Sequence, residues 1–319
     1  MMLAQGITMG RSATSEGSPG LTYGGLSGLG GGPPPRPALD TRDTICATHI
    51  AILCTAMPRI QANGIRLYYE LRGAGSPLTL VEGIGYASWM WFRQVGPLSA
   101  YHRLLIYDNR DVGNSQRTPV PYTVRDMAAD LAGLLDALGI ARTHLLGISM
   151  GGFVAQEFAL AYPERLDHLI LACTAFGGSH MVPIPQETQR LMVPDVSLPP
   201  AQRIPRAMAP AFASGFADSH AELLDSIVRM RLASIQAPDA WLRQAQAVAT
   251  FDTSTRLGAI AAPTLILHGD ADRVVPVQNA RLLAERLPHA DLRILSGGGH
   301  LVFIEQAENF NQAILDFLR

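Results

Sequence analysis

The sequence predicts an α/β fold. A mostly parallel sheet carries helices on both faces, and a helical insertion lies over one end of the sheet. Three observations carry this expectation. After residue 57, apolar strand-like runs alternate with helical patterns. Those runs are nearly continuous in Val, Ile and Leu, as expected of strands covered on both faces. Between residues 177 and 255 the alternation stops, and a proline-punctuated helical pattern replaces it.

Residues 1–57 stand apart. Gly, Ser, Pro and Thr dominate residues 11–37, including Gly30-Gly31-Gly32-Pro33-Pro34-Pro35, so a disordered leader is expected. An apolar patch over residues 45–57 is interrupted by His49 and lies too far along the chain for an ordinary signal segment. Met57, just ahead of the first strand, is a candidate translation start. The intact mass of the native protein tests that reading, because a mass that includes the leader excludes it.

From residue 58 the elements follow in order. Residues 59–62 and 65–71 flank Asn63-Gly64, a pair suited to a tight primed turn, and predict a β-hairpin. Residues 78–81 form a short strand that ends in Glu82-Gly83-Ile84-Gly85, followed by an aromatic stretch with Trp89, Trp91 and Phe92. Residues 104–107 predict a strand leading into the turn-rich segment from Asp108 to Ser115. Residues 123–138 read as an amphipathic helix. Thr123 is its N-cap, Met127, Leu131, Leu134, Leu135 and Leu138 form its apolar face, and Gly139 stops it. The run 143–146 is a strand, 153–162 a helix and 166–173 a strand. In the insertion, helices are expected over residues 186–191, 203–216, 221–234 and 240–249. A strand at 264–268, a helix at 278–287, a strand at 291–295 and a helix at 303–318 complete the chain. The resulting division is a leader (1–57), a core in two pieces (58–176 and 256–319) and a helical cap (177–255).

Composition narrows the function classes. Of 319 residues 48% are apolar and 16% charged, which fits a globular chain able to bury a core. A net charge of −2 without a basic block argues against nucleic acid as a partner. The three cysteines, Cys46, Cys54 and Cys173, show no metal or redox spacing, and they suit a reducing, cytoplasmic setting. No apolar run reaches the roughly 18 residues of a membrane span. No cofactor or metal motif is found, and the pattern leaves monomer and homo-oligomer equally open.

The chemistry centres on Gly147-Ile148-Ser149-Met150-Gly151-Gly152, placed between a strand and a helix. A serine between glycines at such a junction matches the Gly-x-Ser-x-Gly nucleophile elbow. The turn must be sharp enough to lift the hydroxyl off the backbone, and Gly147 and Gly151 remove the side chains that would collide. The helix behind the serine aims free N–H groups and a positive dipole end at the reacting centre.

With these features in this order, residues 59–319 resemble the α/β-hydrolase fold family, whose triad runs nucleophile, acid, histidine. The resemblance implies an eight-stranded, mostly parallel sheet with a helical lid. It implies Ser149 as nucleophile, His300 after three glycines as base, and an acid in the turn Gly269-Asp270-Ala271-Asp272. Asp272 is preferred by motif register, which leaves Asp270 to brace the turn. One oxyanion donor is the backbone N–H of Met150. The other, by register, is the N–H of Ile84, with Gly83 and Gly85 giving room for substrate. The family often carries His-Gly where this chain has Glu82-Gly83, so Glu82 either braces the loop or points into the site. Asp108 to Ser115 resembles the family's Asp-x-Arg-Gly-x-Gly-x-Ser loop, with Asp111 in place of a glycine. Trp89 and Trp91 either line the pocket or pack in the core. His268 is expected to be a satisfied core histidine, and His102, His144, His168 and His289 to lie at element edges.

What the resemblance implies is a cofactor-free serine hydrolase of the carboxylesterase or enol-lactonase type, acting on a small to medium apolar ester or lactone. Carbon–carbon hydrolysis, cofactor-free haloperoxidase or perhydrolase chemistry, and acyl transfer use the same triad on the same fold. Peroxide-dependent bromination and product analysis with acceptor alcohols separate these. A ligand-binding member of the fold with little turnover is the non-enzymatic alternative.

Overall fold

The computed structural model describes residues 58–193, 195 and 197–319. The leader expected over residues 1–57, and with it the reading of Met57 as a start, lies outside the described residues.

The hairpin forms where expected. β1 (Arg59–Ala62) and β2 (Ile65–Arg72) pair antiparallel across Asn63 and Gly64, both at positive φ (45° and 79°), as a primed turn requires. The remaining strands are β3 (Pro77–Val81), β4 (Arg103–Tyr107), β5 (Thr143–Ile148), β6 (Leu166–Ala172), β7 (Thr264–Gly269) and β8 (Ala290–Leu295). They make one eight-stranded sheet in the order β1-β2-β4-β3-β5-β6-β7-β8. Only the β1–β2 and β2–β4 pairings are antiparallel; from β4 to β8 every pairing is parallel.

Side-chain alternation explains why the strands read as continuous apolar runs. Leu145, Leu169, Leu171 and Ile266 enter the core on one face of the sheet. Their neighbours Leu146, Ile170, Leu265 and Leu267 enter the core on the other. Both faces are therefore dry, and a polar residue at alternate positions would have no water to meet.

The helices of the first half are α1 (Val95–Ser99), α2 (Val124–Ala137) and α3 (Met150–Ala161). Thr123 caps α2 through a full capping box: its hydroxyl accepts from the Asp126 N–H, and the Asp126 carboxylate accepts from the Thr123 N–H at 2.7 Å. In α3, residues Met150 to Ala159 are all buried, as a helix wedged between the sheet and its neighbours must be.

The stretch between β6 and β7 holds α4 (Gln186–Met192), α5 (Pro200–Met208), α6 (Phe216–Ser219), α7 (Ala221–Ala233) and α8 (Pro238–Ala249), with no strand among its described residues. An isolated bridge between Gly177 and Asp252 draws its two ends together. The single helix expected over 203–216 is in fact three short pieces. α5 stops at Met208, a 3₁₀ turn covers Ala209–Ala211, and α6 starts only at Phe216. Pro210 explains the break: it has no N–H to give to the carbonyl one turn earlier, and its ring crowds that carbonyl.

α9 (Gln278–Arg286) follows β7, and α10 (Val302–Glu305) and α11 (Ala307–Phe317) end the chain. The last two were expected as one helix over 303–318. Gln306 interrupts it at φ −120°, ψ 48°, with its side-chain amide donating to the Ser296 carbonyl at 2.8 Å. No described helix is long and apolar enough to cross a membrane.

Candidate active site

The carboxyl ends of β3, β5, β6, β7 and β8 open onto one edge of the sheet, where open α/β sheets bind their ligands. Ser149 leaves β5 at φ 53°, ψ −120°, a conformation non-glycine residues rarely adopt. Its backbone is pinned on both sides: the N–H donates to the Ala172 carbonyl at 3.0 Å, and the carbonyl accepts from the Thr174 hydroxyl at 2.7 Å. A Cβ on Gly147 would strike the backbone of Gly151, and one on Gly151 would strike the Val81 carbonyl. The serine turn is thus strained and over-determined by its surroundings, as functional turns are. Ser149 is half-buried, and its hydroxyl makes no capping bond to α3.

His300 and Asp272 meet directly. His300 Nδ1 lies 2.8 Å from Asp272 Oδ2, and both residues are buried. The other oxygen, Oδ1, accepts from the N–H groups of Val274 and Val275, each at 2.8 Å. Burial alone would raise the Asp272 carboxyl. Next to His300 and His268, with the hydrogen bonds both supply, it falls well below the ordinary carboxylate range instead. It is therefore an anion, and it fixes a hydrogen on His300 Nδ1, leaving Nε2 free to accept a proton. Asp270 is exposed and does a different job. Its carboxylate accepts from the Gly297 N–H at 2.6 Å and the Ser296 hydroxyl at 3.2 Å, tying the β7 turn to the loop that carries His300.

The loop after β3 lies beside the serine. A Cβ on Gly83 would sit 3.3 Å from Ser149 Cβ. The Tyr86 N–H donates to the Gly83 carbonyl at 3.2 Å, closing a turn with Ile84 and Gly85 at its centre, and Gly85 supplies the positive φ of 71°. The Ile84 N–H has no acceptor among the described residues. The Gly85 N–H is taken by Gln244 Oε1 at 3.0 Å and is not available to a ligand. Met150, at the first position of α3, has no carbonyl one turn earlier in the helix to accept from its N–H.

Of the two roles open for Glu82, the side chain takes the bracing one. Its Oε1 accepts from the Asn109 N–H at 2.8 Å and the Asn109 side-chain amide at 2.9 Å. Complete burial, with Asp108 nearby, pushes the carboxyl well above its usual range. Trp91 belongs to the core: it is fully buried, with its ring 5.6 Å from that of Phe303. Trp89 is half-buried, 5.6 Å from the Tyr86 ring. The departure at Asp111 is accommodated as well. It sits at φ 68°, its Oδ2 paired with Arg243 at 2.7 Å and its Oδ1 accepting from the Thr118 N–H at 2.7 Å.

A family model described as the alpha/beta hydrolase fold matches residues 76–307. The chain belongs to the α/β-hydrolase fold family. A putative carbamate hydrolase, RutD, of Azorhizobium caulinodans is 30% identical over 262 residues, covering 82% of this chain and 98% of the relative. The 2-hydroxy-6-oxo-6-phenylhexa-2,4-dienoate hydrolase of Comamonas testosteroni is 33% identical over 266 residues, covering 79% and 91%. Among solved structures, the enol-lactonase from Burkholderia xenovorans LB400 superposes with a TM-score of 0.72 at 26% identity, covering 82% of this chain and 99% of that one. These relatives place this α/β-hydrolase in the hydrolase class of enzymes.

Several residues at the α/β-hydrolase site escape sequence reasoning. His268, expected only as a core histidine, places Nε2 3.3 Å from Asp272 Oδ2 and 2.8 Å from the Val275 carbonyl. Glu305 accepts from the Gly299 N–H at 2.9 Å and the Ala213 N–H at 3.2 Å, so it joins the His300 loop to the insertion. Cys173, at φ 44° just past β6, puts its sulfur within 4.8 Å of ligand atoms of Asp272 and His300. Burial pushes its thiol well above its usual range, so it is not a competing nucleophile. For His268 a four-residue spacing from Asp272 was the only available signal. Nothing local marks Glu305 or Cys173.

Proposed function

We propose that this chain is a cofactor-free serine hydrolase that cleaves a small to medium apolar carboxylic ester or lactone through an acyl-enzyme. The observation that carries the reading is a serine at positive φ and a buried Asp272–His300 pair, both at the carboxyl edge of the sheet. Ser149 attacks the substrate carbonyl while His300 Nε2 takes its proton. The carbonyl oxygen becomes an oxyanion held by the N–H groups of Met150 and Ile84, each worth about 3 kcal/mol in the transition state. Collapse expels the leaving group, which His300 protonates. Water, losing a proton to His300, then releases the acid and restores the serine. Asp272 orients the imidazole and stabilises the imidazolium. Residues 177–255 act as a cap that excludes water and shapes the pocket.

A second reading, hydrolysis of a carbon–carbon bond next to a carbonyl, is favoured by the likeness, over 91% of its length, to the Comamonas dienoate hydrolase. One screen separates the two. Wild type and Ser149→Ala are assayed against p-nitrophenyl esters of graded acyl length, a set of lactones, an aryl carbamate and a vinylogous 1,5-diketone. The ester reading expects ester or lactone turnover that falls on the order of 10⁴-fold or more in Ser149→Ala. Turnover of the diketone alone selects the second reading. Activity unchanged in Ser149→Ala overturns both.

A further inference from the structure

The loop that carries Ile84 is held at its two ends by different parts of the molecule. At its start Glu82 is fixed by Asn109, a core residue at the end of β4. At its end Gly85 is gripped on both sides of its backbone by the insertion. The Gly85 N–H donates to Gln244 Oε1 on α8 at 3.0 Å, and Arg231 Nη1 on α7 donates to the Gly85 carbonyl at 2.9 Å. The fit is close: a Cβ on Gly85 would lie 3.2 Å from Arg231 Nη2 and 3.3 Å from Trp241 Cδ1. The Arg231 guanidinium also stacks 4.0 Å above the Tyr86 ring, so it is held in place when it reaches Gly85.

These two contacts belong to a larger polar chain. The Gln236 side-chain amide donates to Gln244 Oε1 at 3.1 Å and to the Asp111 carbonyl at 3.1 Å. Arg243, one residue before Gln244, pairs with Asp111 Oδ2 at 2.7 Å. Gln244 is completely buried, and its one carbonyl oxygen accepts from both Gly85 and Gln236. Gln244 Nε2 is buried without a partner among the described residues, so the residue's contribution is its Oε1: losing that acceptor leaves a dry, unpaired Gly85 N–H. Asp111 is the position where this chain departs from the family loop, and it provides the anchor by which the insertion reaches that loop.

We propose that Gln244 and Arg231 are positioning residues for the oxyanion hole. By holding the Gly85 N–H and carbonyl they lock the turn in the form that leaves the Ile84 N–H without an acceptor of its own. The insertion therefore completes the stabilisation of the oxyanion as well as covering the site. A flip of the Gly83–Ile84 peptide, which carries the Ile84 N–H, or a shift of the loop by an ångström, would misplace that donor, and oxyanion stabilisation depends steeply on donor placement. This inference rests on the reading of Ile84 as an oxyanion donor.

The test uses the full chain with a p-nitrophenyl ester that the wild type turns over and an alkyl boronic acid, which adds to the serine as a tetrahedral anion. Gln244→Met keeps the side chain's length and removes the acceptor. The expected result is a drop of about 10- to 100-fold in kcat and a matching loss in boronate affinity, with KM changed by less than about threefold. Gln244→Glu retains an oxygen acceptor and is expected to recover most of both. Arg231→Met removes the bond to the Gly85 carbonyl together with the stacking on Tyr86, leaves the Gly85 N–H bonded to Gln244, and serves where Gln244→Met does not fold. It is expected to show the same kcat and boronate losses in smaller measure. A folded Gln244→Met or Arg231→Met with wild-type kcat and boronate affinity overturns the proposal, and so does a loss confined to KM. Ser149→Ala keeps the two levels apart. If it retains turnover and the wild type binds no boronate, the serine–oxyanion reading itself is what fails.

Discussion

Two histidine pairs sit at opposite ends of the same sheet, and they are built to opposite ends. At the carboxyl edge His300 faces the Asp272 carboxylate at 2.8 Å, and a second histidine, His268, backs that carboxylate from within β7. At the amino edge His144 of β5 faces His168 of β6, Nδ1 to Nδ1, at 3.1 Å, with the His102 ring 5.8 Å away. No carboxylate fills the gap between that second pair. Burial, then His168, push the His144 imidazole down to about 4; Asp167 pulls the other way, and His102 adds a smaller downward push. One edge thus sets an imidazole against a carboxylate, while the other keeps an imidazole neutral. Strand β5 carries both, His144 near its start and Ser149 just past its end. The residue type decides neither outcome; the partner does.

The comparison breaks most visibly at Asp272. Asp272→Asn leaves the shape of the pair but removes the anion and the preference for a hydrogen on Nδ1. The expected loss in kcat is on the order of 10³- to 10⁴-fold, read from initial rates on the ester that wild type prefers. A loss below tenfold would give His300 another orienting partner.

At the other edge the effect is on stability and depends on pH. An unfolded histidine titrates near 6.5, so the native state binds its proton on His144 less readily than the unfolded chain. The stability this contributes is complete above pH 6.5 and is lost as pH falls through about 4. The loss should amount to about 1–3 kcal/mol between pH 7 and pH 4.5 in urea unfolding. His144→Leu should flatten that part of the profile without changing the pH dependence of kcat. An unaltered slope in the variant would place the acid sensitivity elsewhere.

Asp270 gives the smallest effect and sharpens the first prediction. Asp270→Asn weakens an exposed tie between the β7 turn and Gly297. It should cost about 1 kcal/mol in thermal unfolding and less than about threefold in kcat. Equal losses at Asp270 and Asp272 would undo the division of labour between the two acids.

The legible parts of this molecule share one property: their signal is confined to a few neighbouring residues. The elbow around Ser149 shows in five positions, the α2 N-terminus in Thr123, and the hairpin in Asn63-Gly64. The order of the loops around Ser149, Asp272 and His300 needs only the strand count between them. What sequence did not show depends on distant partners. Gln244 meets Gly85 across 159 positions and Glu305 meets Ala213 across 92, and no local pattern encodes either. The broken helix over 203–216 was readable in principle. Pro210 sits within an apolar periodicity strong enough to mask it. Trp91 could have served pocket or core because its type suits both, and only the position of Phe303 decides.

The bridge between Gly177 and Asp252 has a consequence for how such an enzyme diversifies. The Gly178 N–H donates to the Phe251 carbonyl, and the Thr253 N–H to the Phe176 carbonyl, so the ends of the helical segment are stitched together before it leaves the core. Because the stitching closes the loop at its base, the entropy of closure grows only with the logarithm of whatever length lies beyond. The closure itself does not depend on how many helices the segment contains, although Met208, Phe212 and Ile227 share a buried core with the strands. A lineage carrying this stitch can lengthen, shorten or exchange the whole segment, and the polar contacts to Gly85 and Asp111 are what a newcomer would have to rebuild.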